Sequence, residues 1–449
     1  MTGFLDNMRQ YLKELKEPEL RKVIMEIPIN ELIEIWDDLE EEEELKLFGM
    51  LDLERKVDLM DTLPISKQEL LIRSLTSDHA KALLAEMDPD DLTDFIQAVS
   101  PEVRESVWNA LEEEAKEEAL LLLKYDYDDA AGLMTTRYLA IRPNLRVSQA
   151  LGWVRKNMQN VETVYYIYVL DPLKRLIGVV SLRDLMAGDD DDLVHNVMVK
   201  EVITVYQDTD QEEVAKILET YDLLALPVVD HYHRLLGIVT FDDIIDVIRE
   251  EQTEDIYKMS AVGASRATYL ESSVFALMRR RIPWLIVLLL AATITTNVIA
   301  NYRHVIEAAV VLAFFIPIVT GTGGNSGTQS ATLMIRGLAT AELRFQDIWR
   351  IIGKEALVGL LIGACLGVLT IARSMLLPPE VTMNEALAVG MAMCFVVVVA
   401  TLVGALAPLL ISRLGFDPAV MAGPLMATLI DVSGLTIYFE TAKLLLRLT

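Results

Sequence analysis

Five apolar segments fill the C-terminal part of the chain and constrain its fold more than any other feature. They cover residues 282–300, 305–335, 356–377, 386–411 and 419–446. A helix needs about 20 residues to cross the hydrocarbon core of a bilayer, and each segment reaches or nears that length. Backbone polar groups in lipid must be satisfied within the protein, so five membrane-spanning helices are expected. Trp284 and Trp349 stand beside segment ends, where an amphipathic indole suits the headgroup level.

The remainder is of a different kind. The 449 residues carry 40 Lys+Arg against 67 Asp+Glu, a net charge of -27. Residues 260–449 hold 13 basic and 10 acidic groups, leaving 27 and 57 to residues 1–259, a balance of -30. An acidic soluble half is therefore joined to an apolar half, and a single-domain protein is excluded. That charge excludes nucleic acid as a partner, because phosphates require Lys and Arg. It attracts cations, divalent ones above all. Cys365 and Cys394 fall in apolar runs and read as packing residues, with no disulfide framework or thiolate metal site. No basic region followed by an apolar stretch opens the chain, so no cleavable signal peptide is expected.

Basic residues near the segment ends set the orientation. Arg279, Arg280, Arg281, Arg336, Arg344, Arg350, Lys354 and Arg413 lie on one side, and Arg303, Arg373, Lys443 and Arg447 on the other. This bias puts the soluble half in the cytoplasm.

Within the apolar half, Asp431 lies near the middle of the last segment. A carboxylate at that depth costs about 2.5–3.5 kcal/mol on insertion scales. It reads either as a protonated or helix-bonded Asp or, preferably, as a cation-binding group on a wet pathway. Glu307 and Asp417 lie nearer segment ends. The second segment carries P-I-V-T-G-T-G-G-N-S-G-T-Q-S over residues 317–330, with one proline and four glycines. That composition predicts a break in the helix, of the kind that presents backbone and the polar groups of Asn325, Ser326, Thr328 and Gln329 to an ion. It is not a phosphate-binding loop, because no Gly-Lys-Ser/Thr follows. Gly359, Gly363 and Gly367, four apart, read as a packing stripe.

Residues 1–130 are a string of short helical patterns punctuated by Pro18, Pro28, Pro64, Pro89 and Pro101, which predicts stacked helical hairpins in a small right-handed solenoid. The run 40–44, all Glu, reads as a solvated face. Asp88, Asp90, Asp91 and Asp94 are denser, with Asp90 and Asp94 on one helix face. Residues 131–250 contain a repeat: L-I-G-V-V-S-L-R-D-L-M ends one copy and L-L-G-I-V-T-F-D-D-I-I the other, with Gly178 and Gly237 59 residues apart. His231 and His233 read as surface residues of a turn between strands. Residues 251–281 form a connecting helix or a plain linker.

The repeat, with its terminal Ser/Thr-x-x-Asp, resembles a tandem CBS pair. Such pairs often sense adenine nucleotides, which makes Arg183, Asp184 and Asp243 candidates for contacting ATP. Taken with G-T-G-G-N-S-G and the acid within the last span, the whole chain resembles the MgtE family of magnesium channels. The resemblance implies an α-helical superhelical N-domain, an α/β CBS pair, a connecting or plug helix at 251–281, and an all-α five-helix pore domain at 282–449. It further implies a homodimer with one pore on the two-fold axis, where paired Asp431 carboxylates bind Mg2+, with Ala427 and a turn at 323–325 that includes Asn325 completing the filter. Asp417 is a further candidate. The cytoplasmic half would then sense Mg2+ through Asp58, Asp90 and Asp94, through Asp210, Glu212, Asp222, Asp243 and Asp246, and through Glu251, Glu254 and Asp255. Bound ions would hold these carboxylates together and close the pore.

The alternative is an ion-coupled secondary carrier of divalent cations that uses Asp431 as its coupling group. A CBS-gated chloride channel fits poorly, since the acid in the span has the wrong sign. An enzyme is not expected: no Ser/His/Asp set, His-rich metal cluster or phosphate loop is present.

Overall fold

Apolar residues at 51, 63, 75, 87, 99 and 111 recur every 12 positions, and each closes a ten-residue helix with extended backbone. The residue that follows each of them, Asp52, Pro64, Thr76, Asp88, Ser100 or Glu112, starts the next helix. This period builds the first part of the computed structural model, which describes all residues except 1, 15, 37, 264–268, 270, 271, 341, 422 and 449. The helices are α1 (Thr2–Glu14), α2 (Glu17–Glu26), α3 (Ile29–Trp36), α4 (Glu41–Met50) and α5 (Leu53–Thr62), then α6 (Ile65–Ser74), α7 (Ser77–Glu86), α8 (Pro89–Ala98), α9 (Pro101–Ala110) and α10 (Glu113–Leu122).

Most pack on the helix two along: α3 on α5, α5 on α7, α7 on α9, and likewise α2 on α4, α4 on α6 and α8 on α10. Two-residue linkers leave no other course than a zigzag, and the closing residues, such as Leu51, Met87 and Val99, fall into one continuous core with Trp36, Phe48 and Phe95. Burying side chains of this size contributes about 1.5–3 kcal/mol each. The acidic run 40–44 is not a uniformly solvated face: Glu44 is fully buried and ion-paired with Lys67. Five consecutive charges span more than one helical turn, so one member of the run had to face inward.

The repeat then folds twice in the same way. β1 (Leu139–Ile141), α11 (Val147–Asn157), β2 (Tyr166–Leu170), β3 (Leu176–Ser181) and α12 (Leu182–Ala187) form the first copy, followed by the short α13 (Val194–Val197). β4 (Val205–Tyr206), α14 (Gln211–Tyr221), β5 (Ala225–Val229), β6 (Leu235–Thr240) and α15 (Phe241–Met259) form the second. Each sheet has a parallel pair and then an antiparallel hairpin, in the orders β1-β2-β3 and β4-β5-β6. Register is preserved: Val169 faces Gly178 as Val228 faces Gly237. The two hairpin turns bond to each other, Leu176 N–H to the His233 carbonyl and Leu235 N–H to that of Lys174. A Cβ on Gly178 would meet Met198 and, at 3.0 Å, the Val199 carbonyl, and one on Gly237 would meet the Thr135 carbonyl at 2.5 Å and Met134.

The chain divides into two compact units, Met1–Arg249 and Glu250–Thr449. In the second, α16 (Val274–Asn301), α17 (Arg303–Ala308), α18 (Ile316–Ala339), α19 (Ile348–Leu376), α20 (Met383–Arg413) and α21 (Pro424–Leu446) follow. Among the described residues, four helices are long and apolar enough to cross a membrane: α16, the stretch Val310–Ala339, the stretch Phe345–Leu376, and α20. The fifth expected span is α21, which packs on α16, α18 and α20 but carries Asp431, Glu440 and Lys443. α16 buries none of its residues, and Leu289 and Leu361 are 70% and 64% exposed. An exposed apolar surface of this extent is what lipid covers.

Two expectations are corrected here. The glycine-rich stretch 317–330 is not broken: it lies wholly within α18, and so does the anticipated turn at 323–325. Pro317 sits in the first helical turn, where its missing N–H is not needed. Interior glycines cost about 1 kcal/mol each in helix propensity, but lipid offers the backbone no other partner. The irregular backbone precedes the motif, as a tight 3-10 turn over Val310–Phe315. Nor is 251–281 one helix. α15 continues from the CBS pair to Met259 and α16 begins at Val274, while residues 264–268, 270 and 271 lie outside the described residues.

Candidate functional site

Two places gather functional chemistry. In the first unit, Asp90, Glu162 and Asp243 offer carboxylate oxygens that all lie within 4.8 Å of one another. Asp90 follows Pro89 in the first turn of α8, where the helix dipole favours an acid. Asp243 lies in the first turn of α15 and accepts a 2.5 Å hydrogen bond from the Thr240 hydroxyl. Glu162 comes from the segment before β2, its amide held by the Arg137 carbonyl at 3.1 Å. Arg137 in turn donates to Asp88 at 3.2 Å. The trio thus joins the helical repeats to both CBS copies.

These groups have fewer donors than oxygens. Asp90 is 9% exposed, and among the described residues neither its Oδ1 nor Glu162 Oε2 has a hydrogen-bond partner. The Thr240 hydroxyl, with a single proton, is within reach of both Asp243 and, at 3.3 Å, Glu162. Desolvation, then the charges of Asp243, Asp91 and Glu162, pushes Asp90 well above the carboxylate range. Burial and the neighbouring Asp243 take Glu162 to about 7, and burial takes Asp243 to about 6. Asp91, desolvated and facing Asp61, rises to about 9. Like charges out of water are tolerated only with protons or a cation between them. Three carboxylates from three segments suit a hard divalent cation that keeps part of its water shell.

In the second unit, α18 lays its glycines against α20 and α21. A Cβ on Gly323 would meet Val396 at 3.0 Å and Ile430 at 3.2 Å, and one on Gly327 would run into Ile430. Gly404 of α20 abuts the Gly327 carbonyl, and a Cβ on Gly324 would stand 4.0 Å from Ala427. One turn beyond Ala427, Asp431 is half-buried on α21, with neither ion pair nor hydrogen bond among the described residues. Gly359, Gly363 and Gly367 do pack α19 on α20, against Thr401, Cys394 and Gly390.

A family model described as a divalent cation transporter, MgtE, matches residues 316–441. The MgtE intracellular N domain matches 27–128, and the CBS domain matches 130–189 and 194–250. The magnesium transporter MgtE of Thermus thermophilus is 44% identical over 343 residues, 75% of this chain and 74% of that one. The chain belongs to the MgtE family. The magnesium transporter MgtE of Enterococcus faecalis is 41% identical over 328 residues, 73% of this chain and 71% of its own. The crystal structure of the cytosolic domain of the Mg2+ channel MgtE in complex with ATP is 36% identical, with a TM-score of 0.53, covering 54% of this chain and 99% of that structure.

The residues expected to serve this MgtE protein as ligands are distributed unevenly. Asp90 and Asp243 meet, and Asp58 and Asp246 flank the same acidic patch through their effect on Asp61. Asp94, one turn after Asp90, is exposed. Asp210 caps α14 by accepting from the Glu212 amide at 2.9 Å, whereas Asp222 closes the opposite end of that helix. Within one chain these three do not converge. Arg183 and Asp184 are exposed at the head of α12, where Asp184 accepts from Ser181 at 2.6 Å; its counterpart Asp243 is engaged in the trio. Asn325 is exposed on α18. Asp417 accepts from Lys258 at 2.8 Å, and Glu254 from the same ammonium at 2.9 Å. Asp255 is raised by desolvation and by facing Asp417, with Glu251 a further acidic neighbour. Sequence reasoning missed Glu162, Asp61 and Lys258. A lone acid in a loop carries no spacing signal, and a lysine among acids reads as surface.

Proposed function

We propose that the chain conducts Mg2+ into the cytoplasm across the cell membrane and is closed by cytosolic Mg2+ bound to its acidic half. The reading rests on Asp431, a carboxylate without an ion-pair partner among the described residues, on α21 beside the glycine face of α18, in a region that matches the divalent cation transporters. Two chains pair so that two Asp431 carboxylates face one pore, α21 being the fifth span. Mg2+ gives up its water reluctantly, so a site with few carboxylates holds it while leaving the shell largely intact. Residues 1–130, 131–250, 251–281 and 282–449 serve as helical sensor, CBS pair, connector and pore. The trio of Asp90, Glu162 and Asp243 is the sensor site that the geometry favours, and ATP binds the CBS pair near Arg183 and Asp184.

Patch-clamp recording with Mg2+ as sole permeant cation tests this. Current that shuts as internal Mg2+ rises, and is lost in Asp431→Ala, supports the channel. Flux seen only with a proton or Na+ gradient supports the ion-coupled carrier, with Asp431 as its coupling group.

A further inference from the structure

The end of α15 is tied to the start of α21 by a cation that belongs to the protein. Lys258, on the last turn of α15, places its Nζ 2.8 Å from Asp417 Oδ2 and 2.9 Å from Glu254 Oε1. The other Asp417 oxygen, Oδ1, accepts from the Ala419 amide at 2.8 Å and so opens the 3-10 turn Pro418–Met421 that leads into α21. A second contact lies beside this one. The Met259 carbonyl occupies the place where a side chain at Gly423, the residue before α21, would go. Asp431 follows Pro424 by about two helical turns.

Glu254 and Asp417 were both expected to bind Mg2+, yet an ammonium already lies between them. Burial lowers the lysine's proton affinity, but the hydrogen bonds that its ammonium donates to Asp417 and Glu254 outweigh it and the net shift is upward. Charge-assisted hydrogen bonds of this length are the strong class, and a divalent ion at these oxygens has to displace the lysine first.

We infer that Lys258 is a positioning residue for the pore helix: its ammonium holds Asp417, and with it the start of α21, to the end of α15 without a divalent ion. The inference rests on the gating reading above. It assigns the Mg2+ dependence of closure to other carboxylates and makes this joint a constitutive link through which they act.

Two measurements on the full-length chain in lipid nanodiscs test it. Carbodiimide treatment joins amines to carboxylates in direct contact, and mass spectrometry is expected to find a Lys258–Asp417 cross-link whose yield is the same with and without millimolar Mg2+. No such cross-link, or one that Mg2+ suppresses, overturns the inference. In current recordings, Lys258→Met is expected to raise the Mg2+ concentration for half-closure about fivefold or more, the lower end of typical coupling energies. Lys258→Arg should keep the wild-type value. A Lys258→Met channel that closes as wild type does, or a Lys258→Arg channel as impaired as the Met variant, overturns it as well. If the wild-type chain carries no Mg2+ current, the proposed function fails, and the cross-link still decides the tie.

Discussion

A carboxylate oxygen of Asp90 lies within 4.8 Å of one from Glu162, although 72 positions of sequence separate the two residues. Each keeps one buried oxygen without a hydrogen-bond partner among the described residues. Affinity at such sites follows the count of ligand charges, so Glu162→Gln is expected to weaken Mg2+ binding at the trio about tenfold. Half-closure of the current would move to correspondingly higher internal Mg2+, with Asp431-dependent conduction intact. A Gln variant that closes at the wild-type concentration would remove Glu162 from the site.

The same crowding sets a pH dependence. Glu162 goes from an ordinary 4.5 to about 7 in the fold, and Asp243 from 3.8 to about 6. A raised carboxylate means that the folded state holds the proton more tightly than the unfolded one. Its contribution is therefore greatest at low pH and lost as pH rises through the folded value. In metal-free buffer, the melting temperature read by tryptophan fluorescence of the full chain should fall between about pH 5 and about pH 7. Millimolar Mg2+ should restore it at the upper end. A melting temperature that climbs over that interval contradicts the assignment.

What the sequence made legible follows from periodicity. The 59-residue offset between Gly178 and Gly237 returned as identical register in both hairpins, with each glycine against a neighbouring backbone carbonyl, that of Val199 or Thr135. The 12-residue period through Leu51, Leu63 and Met87 is present too, but proline does not mark it, since Pro64 is one of its six starters. Glu162 was illegible because its role arises from three segments folding together. The glycine motif of α18 was misread for a physical reason. In water that composition ends a helix, whereas among packed spans it permits one.

Gly404 and Gly353 separate these two roles of glycine. Gly404 lies against the Gly327 carbonyl, while among the described residues no neighbour outside its own helix turn lies within 4 Å of a Cβ at Gly353. Gly404→Ala should cost about 1–3 kcal/mol by overpacking, lowering the melting temperature in detergent. Gly353→Ala should be neutral or stabilising by up to about 1 kcal/mol. Equal effects at the two sites would show that the α18–α20 contact is looser than the structure has it.

The Ser330 hydroxyl of α18 donates a 2.8 Å hydrogen bond to Glu355 of α19, whose residue is 7% exposed. The carboxylate is the acceptor, so an amide oxygen can replace it and a hydrocarbon cannot. Glu355→Gln should keep the bond and the melting temperature. Glu355→Leu should leave the Ser330 hydroxyl with only its own helix to bond and lower stability by about 1–3 kcal/mol, the range for a buried polar group that loses its partner. Pairing the change with Ser330→Ala separates the bond from the packing. If the bond carries the effect, the Leu and Ala changes together cost less than their sum. Strict additivity would make Glu355 a packing residue that happens to be polar.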